Sequence, residues 1–214
     1  MTSSRKSMGR LLVLGLFALC QSGSLLAEGQ AARLVRAARA QIGVTVIYDG
    51  SYRVLAYPGG DVPIGRGACT DVIIRAYRAI GLDLQVAVHE DMKKAWAQYP
   101  RLWRLSGPDR NIDHRRVPNL ATFFRRQGAA LAIENDRAAY RPGDLVTWRL
   151  PSGAPHIGVV SDRRVGDRPL VIHNIGAGAA EEDVLFSLVQ TGHYRYLPPN
   201  PPSSRADSRR HGPV

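Results

Sequence analysis

Apolar residues follow two different rhythms along this chain. Up to about residue 127 they recur every three or four positions, the helical period, and from residue 144 onward they alternate or form short blocks between turn residues, as strands do. Residues 28–40 (EGQAARLVRAARA) place Leu34, Val35 and Ala38 on one face. From Cys69 to Ile80 the residues Val72, Ile73, Ala76, Tyr77 and Ile80 form a single stripe, with Arg75 and Arg78 off it and Gly81 as the stop. Residues 86–99 predict another helix, and Pro118 to Gln127 a short one opened by its proline and ended by Gly128. Between the first two helices, residues 49–68 hold Gly50, Pro58, Gly59, Gly60, Pro63, Gly65 and Gly67, which predicts a long ordered loop.

In the second half, Asp144 to Leu150, His156 to Ser161 and Leu170 to Ile175 read as strands, and residues 193–197 as a further one. Pro142-Gly143, Pro151-Ser152-Gly153 and Gly166-Asp167 supply the turns between them. Helices first and strands later predict an α+β fold with a mostly antiparallel sheet. A chain of 214 residues, 44% hydrophobic and 22% charged, holds one well-cored domain.

The ends change the picture. Arg5, Lys6 and Arg10 precede the apolar run Leu11 to Cys20, and Ser22, Gly23, Ser24 and Ala27 follow it. That is the layout of a secretory signal peptide, so residues 1–27 are expected to be removed and the protein to be periplasmic or extracellular; a retained N-terminal anchor is the alternative. Residues 28–196 then form the domain, and 197–214, rich in Pro, Ser and Arg without periodicity, a disordered tail. The formal charge of +11 favours anionic partners: peptidoglycan or another anionic envelope polymer, with peripheral membrane contact compatible. No nucleic-acid-reading motif is present, so nucleic acid is not an expected partner. A monomer is expected.

Signal cleavage removes Cys20 and leaves Cys69 as the one cysteine. A lone thiol in an exported protein has no internal disulfide partner, which flags it either as reactive or as an inert core residue. Cys69 heads the stripe of its helix, where backbone N–H groups and the dipole favour the thiolate and could hold an oxyanion. A base is at hand in His156, which opens the strand HIGVVS, and His173 and Asn174 lie on the following strand, LVIHNI. If the hairpin centres on residue 165, Asn174 faces His156; a shift of one puts His173 there, and spacing leaves the two open as the orienting residue. His89, Glu90 and Asp91 are adjacent on a helix and point different ways, so no metal site and no cofactor is expected.

Cys69-Thr70-Asp71, Pro142-Gly143-Asp144-Leu145-Val146, His156-Ile157-Gly158-Val159 and Ile172-His173 resemble, in order and rough spacing, the NlpC-type cell-wall cysteine peptidases, a branch of the papain-like fold. The likeness spans about Ala37 to Tyr196. More closely, the segments HEDM, PDRNIDHRRVPNL and VIHNIGAG resemble an uncharacterised bacterial family of exported proteins. The resemblance implies Cys69 as nucleophile, His156 as base, His173 as orienter, and an oxyanion site at the Cys69 backbone with Tyr48 or Tyr57. This chain departs from the family where Ala68 and Thr70 flank the cysteine and where a long insertion precedes Pro142. In that insertion His114, Arg115 and Arg116, together with Asp71, are the candidates for binding substrate, an arginine pair being suited to the carboxylates of a stem peptide; a salt-bridged loop is the alternative.

The expected activity is therefore thiol-dependent hydrolysis of an amide bond in peptidoglycan stem peptides. A papain-like acyltransferase or lipid-ester hydrolase would use the same chemistry on another acceptor. A non-catalytic wall-binding module would use only the basic surface and would bury Cys69.

Overall fold

Two layers, helices against one antiparallel sheet, enclose the main core of the computed structural model, which describes residues 29–198. The expected signal peptide and nearly all of the expected tail lie outside those residues. Helix α1 (29–39) is followed by a loop containing a two-residue parallel pairing of β1 (Ile47–Tyr48) with β2 (Arg66–Gly67). Then come α2 (Cys69–Ala79), α3 (Leu84–Ala95) and α4 (Val117–Arg126). The strands are β3 (Ala130–Leu131), β4 (Leu145–Arg149), β5 (Pro155–Val165), β6 (Arg168–Asn174), β7 (Ala179–Glu182) and β8 (Val189–Tyr194), in sheet order β3-β8-β4-β5-β6-β7. The expected α+β class and antiparallel sheet are observed. Among the described residues no helix is long and apolar enough to cross a membrane.

Strand alternation divides the interior. Leu145, Ile157, Val159, Ile172 and Tyr194 face the helices and meet Leu34, Val72, Ile73, Tyr77, Leu120 and Phe124. Val146, Trp148, Val160 and Val171 point to the other face, where Tyr140 and Leu185 cover them. The sheet is thus apolar on both faces, and its central strands read as near-continuous hydrophobic runs for that reason.

The region ahead of α2 departs most from the expected amphipathic pattern. Every residue of α2 from Cys69 to Tyr77 is buried, including Asp71 and Arg75. Loop 49–68 folds over the polar side of the helix. Arg75 is held there by Asp61 at 2.8 Å, by Thr45 Oγ1 at 2.8 Å and by the carbonyls of Val62 and Arg66. Asp71 occupies the third helical position and accepts the Ala68 N–H at 2.6 Å, half of a capping box, since Ala68 has no side-chain oxygen to return. The same carboxylate takes Arg115 in a two-pronged pair at 2.8 and 2.9 Å, with both side chains only 2% exposed. Arg115 spends its remaining donors on the carbonyls of Ser51, at 2.7 Å, and Asp49, at 2.8 Å. Gly67 is needed for this approach, because a Cβ there would stand 2.9 Å from the Asp71 Cβ.

Sequence and structure differ at several edges. Strand β5 runs to Val165 instead of stopping at Ser161, and β6 starts at Arg168, so the hairpin turns over Gly166-Asp167 alone. The last strand is Val189–Tyr194, earlier than residues 193–197, and β7 was not expected.

Removing one member of a buried, hydrogen-bonded ion pair leaves an uncompensated charge, at a cost of about 3–5 kcal/mol. Arg115→Ala is therefore expected to lower unfolding stability by about that much in urea titrations. The double variant Asp71→Asn/Arg115→Met should cost clearly less than Arg115→Ala, because no charge is left stranded.

Candidate active site

Cys69 is the first residue of α2, and its side chain is buried beneath the loop and against the start of β5. Three backbone N–H groups are directed at the sulfur: its own, that of Thr70 at the helix N-terminus, and that of Ile157, the residue after His156. These donors favour the thiolate. Burial outweighs them, and the Asp71 carboxylate adds repulsion, so the thiol is pushed up to about 11. The expectation of a lowered thiol pKa is thereby corrected. A helix N-terminus activates a cysteine that water or a cation can reach, and this one is fully enclosed, with its nearest charge negative.

His156 is buried too, and its Nε2 lies 2.9 Å from His173 Nδ1. Burial, followed by the neighbouring His173, lowers His156 to about 3. Burial also lowers His173, against the pull of Glu182, whose carboxylate oxygen stands 2.9 Å from His173 Nε2 without an aligned hydrogen bond. The resting site therefore holds a neutral thiol and two neutral imidazoles.

Strand register settles which residue partners His156. Val159 pairs with Ile172 and Val160 with Val171. Continued to the start of β5, this sets neither His173 nor Asn174 directly across from His156. It does place His156 and His173 on the same face, as diagonal neighbours within reach of aromatic rings. Asn174 falls on the opposite face, donates to Gly67 O at 2.9 Å, and so ties β6 to the approach of α2; its candidacy as orienter is corrected. Gly158 is what lets the histidines meet, since a Cβ there would lie 2.5 Å from Val171 Cγ1 and 3.2 Å from His173 Cβ. His156 shares its face with Trp148, the ring centroids being 5.9 Å apart, while Ile157 faces the helices. The thiol thus meets the strand at the Ile157 N–H and makes no hydrogen bond to either imidazole.

The two tyrosine candidates separate. Tyr48 pairs with Gly67 across β1 and β2, and burial, then the charges of Cys69 and Asp71, raise its phenol. Its hydroxyl has no hydrogen-bond partner among the described residues, so it is free to donate beside the sulfur. Tyr57 donates to Glu90 at 3.1 Å and packs edge-on against His89, outside this constellation.

Three of the four substrate candidates are engaged in structure, and the fourth, His114, is buried with its Nδ1 unpartnered. Asp71 and Arg115 are the buried pair described above. Arg116 lies 3.9 Å over the Trp103 ring and pairs with Asp113 at 3.3 Å. His114 is buried and lowered to about 4, first by burial and then by Arg115. Asp71, Arg115 and Arg116 are corrected from substrate contacts to structural contacts that hold the insertion, and burial takes His114 out of reach of a substrate. His89, Glu90 and Asp91 diverge, to the Tyr57 ring, to Tyr57 and Lys93, and to Tyr99 and Arg126 respectively. No group of His, Cys, Asp or Glu among the described residues could hold a metal ion. Glu182 escaped the sequence reading because β7, with the sequence AAEE, has no apolar alternation to announce a strand.

The profile of the DUF1287 family, described as a domain of unknown function, matches residues 35–196, which contain every residue of this site. The chain is also similar to the "Uncharacterized protein YijF" of Escherichia coli (strain K12), 58% identical over 161 residues that cover 75% of this chain and 78% of that protein.

The lowered histidines fix a pH dependence. Unfolded, His156 and His114 would take up protons near the ordinary value of 6.5; folded, they refuse them until about 3 and about 4. Stability is expected to be unaffected by these groups above about pH 6.5 and to fall as pH drops from there toward 4. Urea unfolding of the wild type and of His156→Gln and His114→Gln between pH 7 and 4 measures it, and an acid slope identical in all three would refute the assignment. By the same argument, alkylation of Cys69 by iodoacetamide should be slow at pH 7 and climb toward pH 11.

Proposed function

Starting from the chain's membership of the DUF1287 family, a domain of unknown function, we propose that it is a thiol-dependent hydrolase that cleaves an amide bond in peptidoglycan stem peptides. The observation that carries the reading is the line Glu182–His173–His156 leading to the strand position whose N–H faces the Cys69 sulfur. The Glu182 carboxylate, 2.9 Å from His173 Nε2, favours the tautomer that carries its proton there, although the two are not aligned as a hydrogen bond in the resting site. His173 Nδ1 is then an acceptor, and His156 must donate to it from Nε2. The lone pair of His156 Nδ1 is left free to take a proton, which is what a general base needs.

In this mechanism a substrate entering the site brings thiol and imidazole together, and the thiol proton passes to His156 as sulfur attacks the carbonyl carbon. The oxyanion is met by the N–H groups at the head of α2 and by the Tyr48 hydroxyl. Collapse breaks the C–N bond, the imidazolium protonates the leaving amine, and water, deprotonated by His156, hydrolyses the thioester. An overall fold of the papain-like kind belongs to the same proposal, as does export to the periplasm or beyond. An anionic wall polymer suits a chain whose formal charge is +11, and +8 once Arg5, Lys6 and Arg10 leave with residues 1–27 (11 − 3).

One observation favours a second reading. Cys69 is buried, holds its proton, and has no hydrogen bond to imidazole, as a wall-binding module with a structural cysteine would. Digestion of purified peptidoglycan, followed by release of new amino groups, separates the two. Under the hydrolase reading Cys69→Ala abolishes release while the urea midpoint stays close to that of the wild type. His156→Gln lowers the rate by about 10²–10⁴-fold, and Glu182→Gln lowers kcat with little change in KM. Full turnover by Cys69→Ala overturns the reading. No turnover by the wild type, with peptidoglycan binding that survives Cys69→Ala, establishes the second.

A further inference from the structure

A cleft of about 350 Å³ opens between α4 and the β4–β5 end of the sheet. Its strand wall is formed by Thr147, Trp148 and Arg149, which the register pairs with Ile157, His156 and Pro155. The cleft is therefore built on the direct cross-strand partners of the imidazole segment. Val117, Pro118 and Ala121 of α4 supply an apolar wall facing it.

Two arginines line the same space, Arg125 from α4 and Arg149 from the end of β4. Both are exposed, and neither forms an ion pair among the described residues. Arg125 donates to Thr122 Oγ1 at 2.8 Å and contacts Tyr194 Oη at 3.4 Å, which orients its guanidinium without neutralising it. The Arg149 side chain has no hydrogen-bond partner among the described residues. Two uncompensated guanidinium groups above an apolar wall match a short peptide that carries carboxylates, since guanidinium recognises carboxylate in a planar, two-pronged way while the wall takes aliphatic side chains.

We propose that this cleft is the substrate subsite, and that Arg125 and Arg149 select stem peptides bearing free carboxylates over those in which the carboxylates are amidated. The assignment rests on the hydrolase reading for the identity of its ligand, but not on turnover for its test. It moves the arginine-carboxylate contact from Arg115 and Arg116, which are occupied, to a pair that is free. Arg149 stands opposite Pro155, one residue before His156, so a carboxylate held there keeps the adjoining peptide at the head of β5.

The test is binding by the full chain carrying Cys69→Ala, so that nothing is consumed. Two synthetic probes are titrated by calorimetry: the stem tetrapeptide L-Ala-γ-D-Glu-diaminopimelate-D-Ala as the free acid, and the same peptide with its carboxylates amidated. The free acid should bind about tenfold or more tightly, equivalent to about 1.4 kcal/mol. Arg125→Gln/Arg149→Gln should erase that preference with only a small shift of the urea midpoint, and Arg149→Gln alone, which breaks no side-chain hydrogen bond or ion pair among the described residues, should erase part of it without that shift. Raising salt should weaken the free acid more than the amide. Equal affinity for the two probes, no binding of either, or a preference that survives the double variant each overturns the subsite. Those outcomes leave the hydrolase reading to stand or fall on Cys69-dependent amine release, so the two failures are told apart.

Discussion

One buried carboxylate organises the approach to the thiol. Asp71 caps α2 through the Ala68 N–H and grips Arg115, and Arg115 in turn holds the carbonyls of Asp49 and Ser51. Three segments distant in sequence are fixed by that contact: the head of α2, the stretch just after Tyr48, and the short turn Asp113–Arg115 that leads into α4. A charge buried this deeply is tolerable because each oxygen has donors and the guanidinium supplies an opposite charge. The contact has an electrostatic consequence as well. Asp71 is close enough to Cys69 to oppose its ionisation, so the interaction that builds the helix terminus also helps keep the thiol protonated.

The sheet makes the second half of the site by parity. A strand fixes which side chains share a face, and β5 and β6 put His156 with His173 and send Asn174 to the helices. A one-residue slip would exchange their roles. Gly158 is the local condition for this arrangement, since any side chain there would collide with Val171 and move His173. The twofold repeat of the backbone, more than any attraction between imidazoles, decides that a histidine and not an amide stands next to His156.

How much of this could be read from the sequence follows from how local each determinant is. The helix opening at Cys69 and ending before Gly81 was legible because its stripe and stop lie within thirteen residues. The His156 and His173 strands were legible for the same reason. Register was not, because it depends on an irregularity in the β5–β6 ladder between Val160 and Arg164 that no periodicity announces. The fates of Asp71 and Arg115, 44 positions apart, were hidden by distance: an arginine in a polar insertion looks solvent-facing until the loop that buries it is folded. Glu182 and the Arg125–Arg149 cleft were missed because they arise from strands and a helix that meet only in three dimensions.

A cysteine held as a neutral, enclosed thiol carries a physical implication for the proposed chemistry. Oxidation and alkylation proceed through the thiolate, so a thiol held near 11 and shielded by α2 and β5 is protected where no disulfide partner exists among the described residues. In the proposed chemistry, the same enclosure means that ionisation has to be driven by substrate. Attack creates an oxyanion, and the N–H groups of Cys69 and Thr70 and the Tyr48 hydroxyl then meet developing charge that the resting site lacks. Donors fixed in advance by a helix terminus stabilise that charge without reorganising. A site arranged in this way is unreactive toward small electrophiles and becomes reactive only toward a ligand whose binding brings thiol and imidazole together. The free arginines beside Trp148 fit that logic, for a peptide anchored there by its carboxylates lies along the cross-strand partners of Ile157 and His156, where its binding energy can be spent on that closure.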